Sequence, residues 1–266
     1  MTPQTRVEKP GPSPVKAELR DHRLDRLASS LSTPANTRVL YGLAALIVAV
    51  VGLVLFGVVH WILPEGGDFT GTIAFYDKYQ AVVKACLLLA GVGAVAVITV
   101  IGVLAALFWQ LDTSKHHAIS WVAVVSDTIF GATMFIEISL AAAPALLYGH
   151  VSNEIVHALH IIPFASAYIL GVVWIPNVAA TLLIGSRSGL FPIWLKALGL
   201  ATIAADFLAL LAATTLTGPL NGVNGIVSFY IPAFVPTAWF IMLTVWSVLY
   251  WAGARTTSRD EQALGE

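Results

Sequence analysis

Apolar residues run along this chain in six long blocks, 39–63, 81–111, 119–148, 155–184, 190–216 and 226–251, with short polar or turn-rich connectors between them. Each block exceeds the roughly 20 residues that a helix needs to cross the hydrocarbon core of a bilayer. No barrel-type alternation is visible, and unpaired backbone groups are too costly in lipid for an open sheet or loop, so each block is expected to be helical. The pattern predicts an all-α fold: a polytopic membrane bundle of six transmembrane helices within residues 39–252. Ahead of it, residues 1–38 carry Pro3, Pro10, Pro12 and Pro14 and read as a cytoplasmic, largely disordered tail. Leu24, Leu27, Ala28 and Leu31 recur there at helical spacing among Arg20, Arg23 and Arg26, a pattern shared by interfacial helices and by solvated tails. The stretch is too long and too polar for a signal-peptide n-region, so the first block is expected to be retained as a membrane helix. Residues 253–266 read as a cytoplasmic C-terminal tail.

Composition makes lipid the expected solvent. The chain is 58% hydrophobic and 11% charged, against about a quarter charged in soluble domains. A net charge of -1 and the lack of any basic, aromatic-rich stripe set nucleic acid aside. Cys86 is the single cysteine, which excludes internal disulfides, thiolate metal cages and CxxC redox chemistry. With the N-terminus inside, twelve of the 14 Lys and Arg fall on the inner side, leaving Lys78 and Lys84 outside. That asymmetry predicts a multi-pass protein of the inner (plasma) membrane with both termini cytoplasmic. Trp61 and Tyr148 at the outer boundary, with Trp109, Trp121, Trp194 and Trp251 near the inner one, agree. The segment 217–225, rich in Gly and Asn, reads as a plain connector.

Candidate chemistry concentrates in the third and fourth blocks. An ionisable side chain at the centre of a membrane helix costs at least about 2.5–3.5 kcal/mol, so it needs a partner or a purpose. The intramembrane polar set is Lys84, Asp127, Glu137, Asn177 and Asp206. Ser126, Thr133 and Glu137 share one helical stripe, expected to face other helices or a water-filled cleft. Treating the third and fourth blocks as a hairpin puts residues whose numbers sum to about 303 at equal depth, so that Asp127 lies level with Asn177. Lys84–Glu137 is the first ion pair the arrangement suggests. The structural alternative for each carboxylate is a buried ion pair or hydrogen bonding to neighbouring Ser and Thr.

His150, Glu154, His157 and His160 form the densest cluster, at spacings of four, three and three that place them on one helical face. Imidazoles with a carboxylate suit zinc or another divalent transition metal. Glu154 and His157 also have the E-x-x-H spacing of di-iron bundles, but in one copy only. His60, Glu65, Asp68 and Asp77 lie on the same outer side and could complete a shell. Against this, helix ends near water commonly hold His and Glu with no metal at all, and no resident cofactor is expected. A haem pair would need facing histidines, whereas His116 and His117 sit in an inner loop. Pro163 and Pro176 in the fourth block, with Pro232 and Pro236 in the sixth, predict kinks. Cys86, Ala90 and Ala94 form a small-residue stripe for close packing, within the bundle or across a homo-oligomer.

The turn from Ser186 to Gly199 reads R-S-G-x-x-P-x-W-L-x-x-L-G, with Arg187, Pro192, Trp194 and Lys196. It resembles the corresponding turn of uncharacterised six-helix bacterial integral membrane proteins grouped under a domain of unknown function. The resemblance covers the later fourth helix, this turn and the fifth helix; it implies the six-helix architecture and supplies no active site.

Nucleophile-elbow, phosphate-loop, kinase and HExxH patterns are absent, and no inverted repeat relates the two halves. Three function classes follow. The first is movement or sensing of a small solute, a lipid or protons through a polar intramembrane cavity. The second is a membrane-embedded metalloenzyme at the outer end of the fourth helix. The third is a non-catalytic partner subunit of a membrane complex. The first, non-enzymatic class is favoured, because the carboxylates lie deep in the apolar blocks.

Overall fold

A computed structural model describes residues 35–166 and 168–263; the expectations for residues 1–34 lie outside the described residues. Contacts divide the chain into units 1–41 and 42–266. Of the first unit only 35–41 is described, as the opening turns of a helix. Among the described residues there are helices and turns and no strand. The α-helices are α1 (Ala35–Ile62), α2 (Phe69–Leu111), α3 (Ala118–Leu147), α4 (Asn153–Ser166), α5 (Tyr168–Arg187), α6 (Ile193–Ala209) and α7 (Ile231–Ala263). Five helical stretches are long and apolar enough to cross a membrane: Phe69–Leu111, Lys115–Leu147, Asn153–Arg187, Ile193–Thr214 and Ile226–Tyr250. In α1 the described residues include an apolar helical stretch, Leu43–Gly52.

Burial is distributed as lipid requires. Leu88, Val92 and Val95 expose a stripe along α2, and Ile129 and Ile136 on α3, Leu200 and Phe207 on α6, and Met242, Val245 and Leu249 on α7 are also exposed. The interior holds Ser126, Glu137, Asn177, Thr181, Thr202, Asp206, Thr244 and Ser247 beside its apolar core. Several of the hydroxyls return to the carbonyl four residues back, as Thr202 does to Leu198 and Thr244 to Phe240. Local bonding of this kind lets a polar side chain sit in a membrane helix without a distant partner.

Element boundaries differ from the sequence expectation for identifiable reasons. The second apolar block was expected to begin at 81, but α2 begins at Phe69, capped by Asp68, whose Oδ1 accepts from the Gly71 N–H at 2.8 Å. With 43 residues, α2 is about 65 Å long at 1.5 Å per residue and outruns the hydrocarbon thickness. The fourth block comprises α4 and α5, with Pro163 and Pro176 inside them. The fifth tightens into a 3₁₀ turn, Leu210–Thr214. The sixth opens with a π-helical turn, Ile226–Tyr230, just before Pro232, which has no N–H to continue an α-helical ladder.

α3 lies along α5 and α2, and α6 packs between α5 and α7. The inner core joins α2, α5, α6 and α7 through Leu104, Phe108, Trp174, Leu182, Leu195 and Trp239. α1 meets α2 backbone to backbone: a methyl built on Gly52 or on Gly93 would stand 3.0 Å from the other's Cα. Only glycine at both positions permits that approach.

The segment 217–225 is more than a connector. Asn221 is 1% exposed; its Oδ1 accepts from the Val223 and Asn224 N–H groups and its carbonyl accepts from the Ser228 hydroxyl. Asn224 donates to the Leu63 carbonyl at 2.9 Å, tying the loop to the end of α1. On the opposite end, Asp112 organises the turn between α2 and α3. Its two oxygens accept from the N–H groups of Ser114 and Ser120, both at 2.8 Å. This holds a turn in which His116 and His117 both have positive φ, 58° and 53°, each costing roughly 1–2 kcal/mol for a residue with a Cβ. The Trp109 ring stacks on His117 at 4.9 Å.

Burial alone would favour the neutral form of Asp112, but its hydrogen bonds from Ser114 and Ser120 outweigh it and hold the carboxyl at about 2, below the ordinary 3.8. A depressed carboxyl stabilises the fold above its unfolded value and loses that contribution as pH falls through the folded one. Asp112→Asn is therefore expected to lower the Tm at neutral pH, and the gap from wild type should close as pH falls from 3.8 toward about 2. A gap that stays constant across that window in detergent melts would show that the charge does not hold the turn.

Candidate functional site

The described structure contains a cavity of about 400 Å³ between the helices, bordered by α1 through α7 and the π-helical turn. That volume falls within the roughly 300–1,000 Å³ usual for small-molecule sites. Small residues are among its lining: Ala49 and Gly52 on α1, Gly93 and Ala94 on α2, and Gly171 on α5. Rings wall it, including Phe130, Phe164, Tyr168, Trp174 and Phe229. Glu137 and Asp206 share its lining with His60, and no Lys or Arg among the described residues does.

Asp206 is the anomaly of the site. It is 1% exposed, and its buried Oδ2 makes no hydrogen bond among the described residues. α5 passes close to it: a methyl on Gly171 would lie 3.3 Å from Asp206 Oδ1. Glu137 is 9% exposed and faces the same cavity from α3. His60, expected as an outer-shell residue, stacks on Phe229 at 4.3 Å and meets Phe164 edge-on at 5.1 Å.

A bridge between α3 and α5 fixes one wall. The Ser126 hydroxyl donates to the Val173 carbonyl at 2.5 Å and accepts from the Asn177 N–H at 3.2 Å. These are the two backbone groups that an α-helix pairs four residues apart, and they lie beside Pro176, which supplies no N–H of its own. Asn177 is buried, and its documented tie to α3 is this backbone bond. Ser126 and Asn177 have numbers that sum to 303, as the hairpin depth arithmetic requires. Asp127 is half-buried beside this wall, with Oδ1 enclosed and without a hydrogen bond among the described residues. The Trp174 indole N–H is likewise buried and without a hydrogen bond among the described residues.

Lys84 is exposed on α2 and lies outside the cavity lining. The ion pair expected between Lys84 and Glu137 is not formed among the described residues. The reason is that the buried face of α2 presents Val83, Ala90 and Ala94, with Lys84 turned away from it.

The His/Glu cluster separates in three dimensions. His150 and Glu154 are exposed, with His150 in the turn that precedes α4. His157 is half-buried, edge-on to Phe69 at 5.2 Å. His160 points inward, fully buried. Its Nδ1 lies 3.1 Å from the Tyr76 hydroxyl and its Nε2 lies 3.2 Å from the Pro64 carbonyl. A carbonyl can only accept, so Nε2 carries the proton and Nδ1 accepts from Tyr76. Among the described residues no three His, Cys, Asp or Glu side chains converge as a metal site would require. His150 leaves the common face because the helix starts only at Asn153.

No family model, curated protein or solved structure was found to match this chain.

The energetics of Asp206 generate a prediction. A buried polar group left unsatisfied costs about 1–3 kcal/mol. Asp206→Leu, close in shape and without the unmet demand, is expected to raise the Tm of the purified protein. A fall in Tm would mean that the carboxyl holds the fold together.

Proposed function

We propose that this protein moves or senses a small solute or protons through its intramembrane cavity, with Glu137 and Asp206 as the working charges. The observation that carries the reading is the unpartnered Asp206 carboxyl, buried and directed into a ligand-sized cavity that Glu137 also lines. A group kept at a cost to stability inside an apolar bundle is best explained by what it does there. The metalloenzyme reading has less support, because His150 and Glu154 point to solvent while His160 is engaged by Tyr76 and Pro64.

The reading includes six membrane crossings, with α1 as the first, and both termini on the cytoplasmic side of a bacterial inner membrane. The excess of Lys and Arg on one set of connectors supports that orientation. In a Cys86→Ser background, Ser152→Cys is expected to react with an impermeant maleimide on intact cells. Thr113→Cys and Ser188→Cys should react only after permeabilisation. The reverse pattern would invert the protein, and uniform labelling would break the six-span count.

Function is tested in proteoliposomes with an imposed pH gradient and an entrapped pH dye. Wild type should dissipate the gradient faster than empty vesicles. Glu137→Gln and Asp206→Asn should return the rate to the empty-vesicle level while both variants remain folded. Dissipation unchanged in both variants would remove the carboxylates from the activity.

A further inference from the structure

We propose that the cavity binds an organic cation with an aromatic or apolar body, its positive charge held between Glu137 and Asp206. This deepens the reading of the cavity as a solute site and rests on it. Four features of the site converge on the ligand's chemistry.

Charge comes first. Both carboxylates on the lining carry the same sign when ionised; His60 is the titratable base beside them, and no Lys or Arg among the described residues joins it. An ionised carboxylate in an apolar enclosure needs a counter-charge close by. At Asp206 no donor reaches Oδ2 among the described residues. A ligand cation meets that demand directly, and an anion would face repulsion from both groups.

The walls come second. Phe130, Phe164, Tyr168, Trp174 and Phe229 present rings to the space. Ring faces attract a desolvated cation by their quadrupole and bury an apolar body equally well. Phe130 and Trp174 are stacked at 5.2 Å and form a flat panel on one side.

The third feature separates an organic cation from an inorganic one. Calcium takes six to eight oxygen ligands and magnesium a full octahedral set. Two carboxylates amid rings and glycines offer too few, and no three metal-ligating side chains converge among the described residues. Size is the fourth: about 400 Å³ is far more room than a bare ion fills. Short side chains, Ala90, Ala94 and Ala141 among them, also line the space.

The test uses the full chain in lipid nanodiscs and two ions of matched shape and opposite charge, tetraphenylphosphonium and tetraphenylborate, each titrated alone by calorimetry. Saturable 1:1 binding of tetraphenylphosphonium is expected, at least tenfold tighter than that of tetraphenylborate. Asp206→Asn and Glu137→Gln should each weaken it at least tenfold, and Asp206→Glu should recover most of the affinity, which a variant that merely misfolds would not do. Equal binding of both ions, abolished by the cavity-filling Ala141→Phe, would overturn the choice of a cation and leave the cavity as a solute site. Carboxylate variants that bind as wild type would also overturn it. If neither ion binds saturably the proposal fails; gradient dissipation in the liposome assay then decides whether the cavity reading survives it.

Discussion

In lipid every backbone N–H and C=O must find its partner within the protein, and this fold is shaped by the places where that rule is under pressure. Pro176 is the sharpest of them. Its ring removes a donor from α5, and beside it the Ser126 hydroxyl of α3 bonds both the Val173 carbonyl and the Asn177 N–H. A side chain of one helix thereby serves the backbone of its neighbour and ties the two together. At the start of α7 the same demand is met differently, by a π-helical turn ahead of Pro232 in which the Tyr230 N–H reaches the Gly225 carbonyl. Just ahead of that turn, Asn221 bonds the backbone of Val223 and Asn224 and the hydroxyl of Ser228. Ser126 and Asn221 are thus polar side chains given over to the fold.

With those polar groups accounted for, the unexplained remainder is small. Ser126, Asn221, His160 and Tyr76 all have named partners. Asp127 and Asp206 each keep a buried oxygen without one among the described residues, and of the two Asp206 lines the cavity that Glu137 also lines. Bookkeeping of hydrogen bonds thus does for a membrane interior what a surface map does for a soluble protein, by separating groups that build the fold from a group held in reserve.

Much of the architecture was legible because lipid forces a coarse pattern on sequence. Long apolar blocks marked α2, α3, the α4–α5 pair, α6 and α7, and of the 126–133–137 stripe on α3 Ser126 and Glu137 are buried while Thr133 is half-buried. Hairpin arithmetic put Asp127 level with Asn177, since two antiparallel helices share one rise per residue, and it is the neighbouring Ser126 that bonds there. What escaped was whatever depends on rotation about a helix axis or on distant loops. Lys84 and Glu137 have compatible depths, but their side chains point to different sides. His150 falls off the shared face because α4 starts three residues beyond it. The Gly- and Asn-rich run at 217–225 signalled turns without revealing that Asn221 would be buried at their centre. The early start of α2 was hidden by polar Asp77 and Lys78, which a helix standing proud of the hydrocarbon accommodates easily.

The Ser126 bridge also has a mechanical consequence. A hydroxyl bonded to two backbone groups of another helix works as a latch: sliding α3 along α5 by a single residue, about 1.5 Å, would break its bonds to both Val173 and Asn177. The two helices therefore behave as one rigid post. A doorway into the chamber they border has to be cut through a different wall, where neighbours touch by shape alone, as the glycines of α1 and α2 do at Gly52 and Gly93.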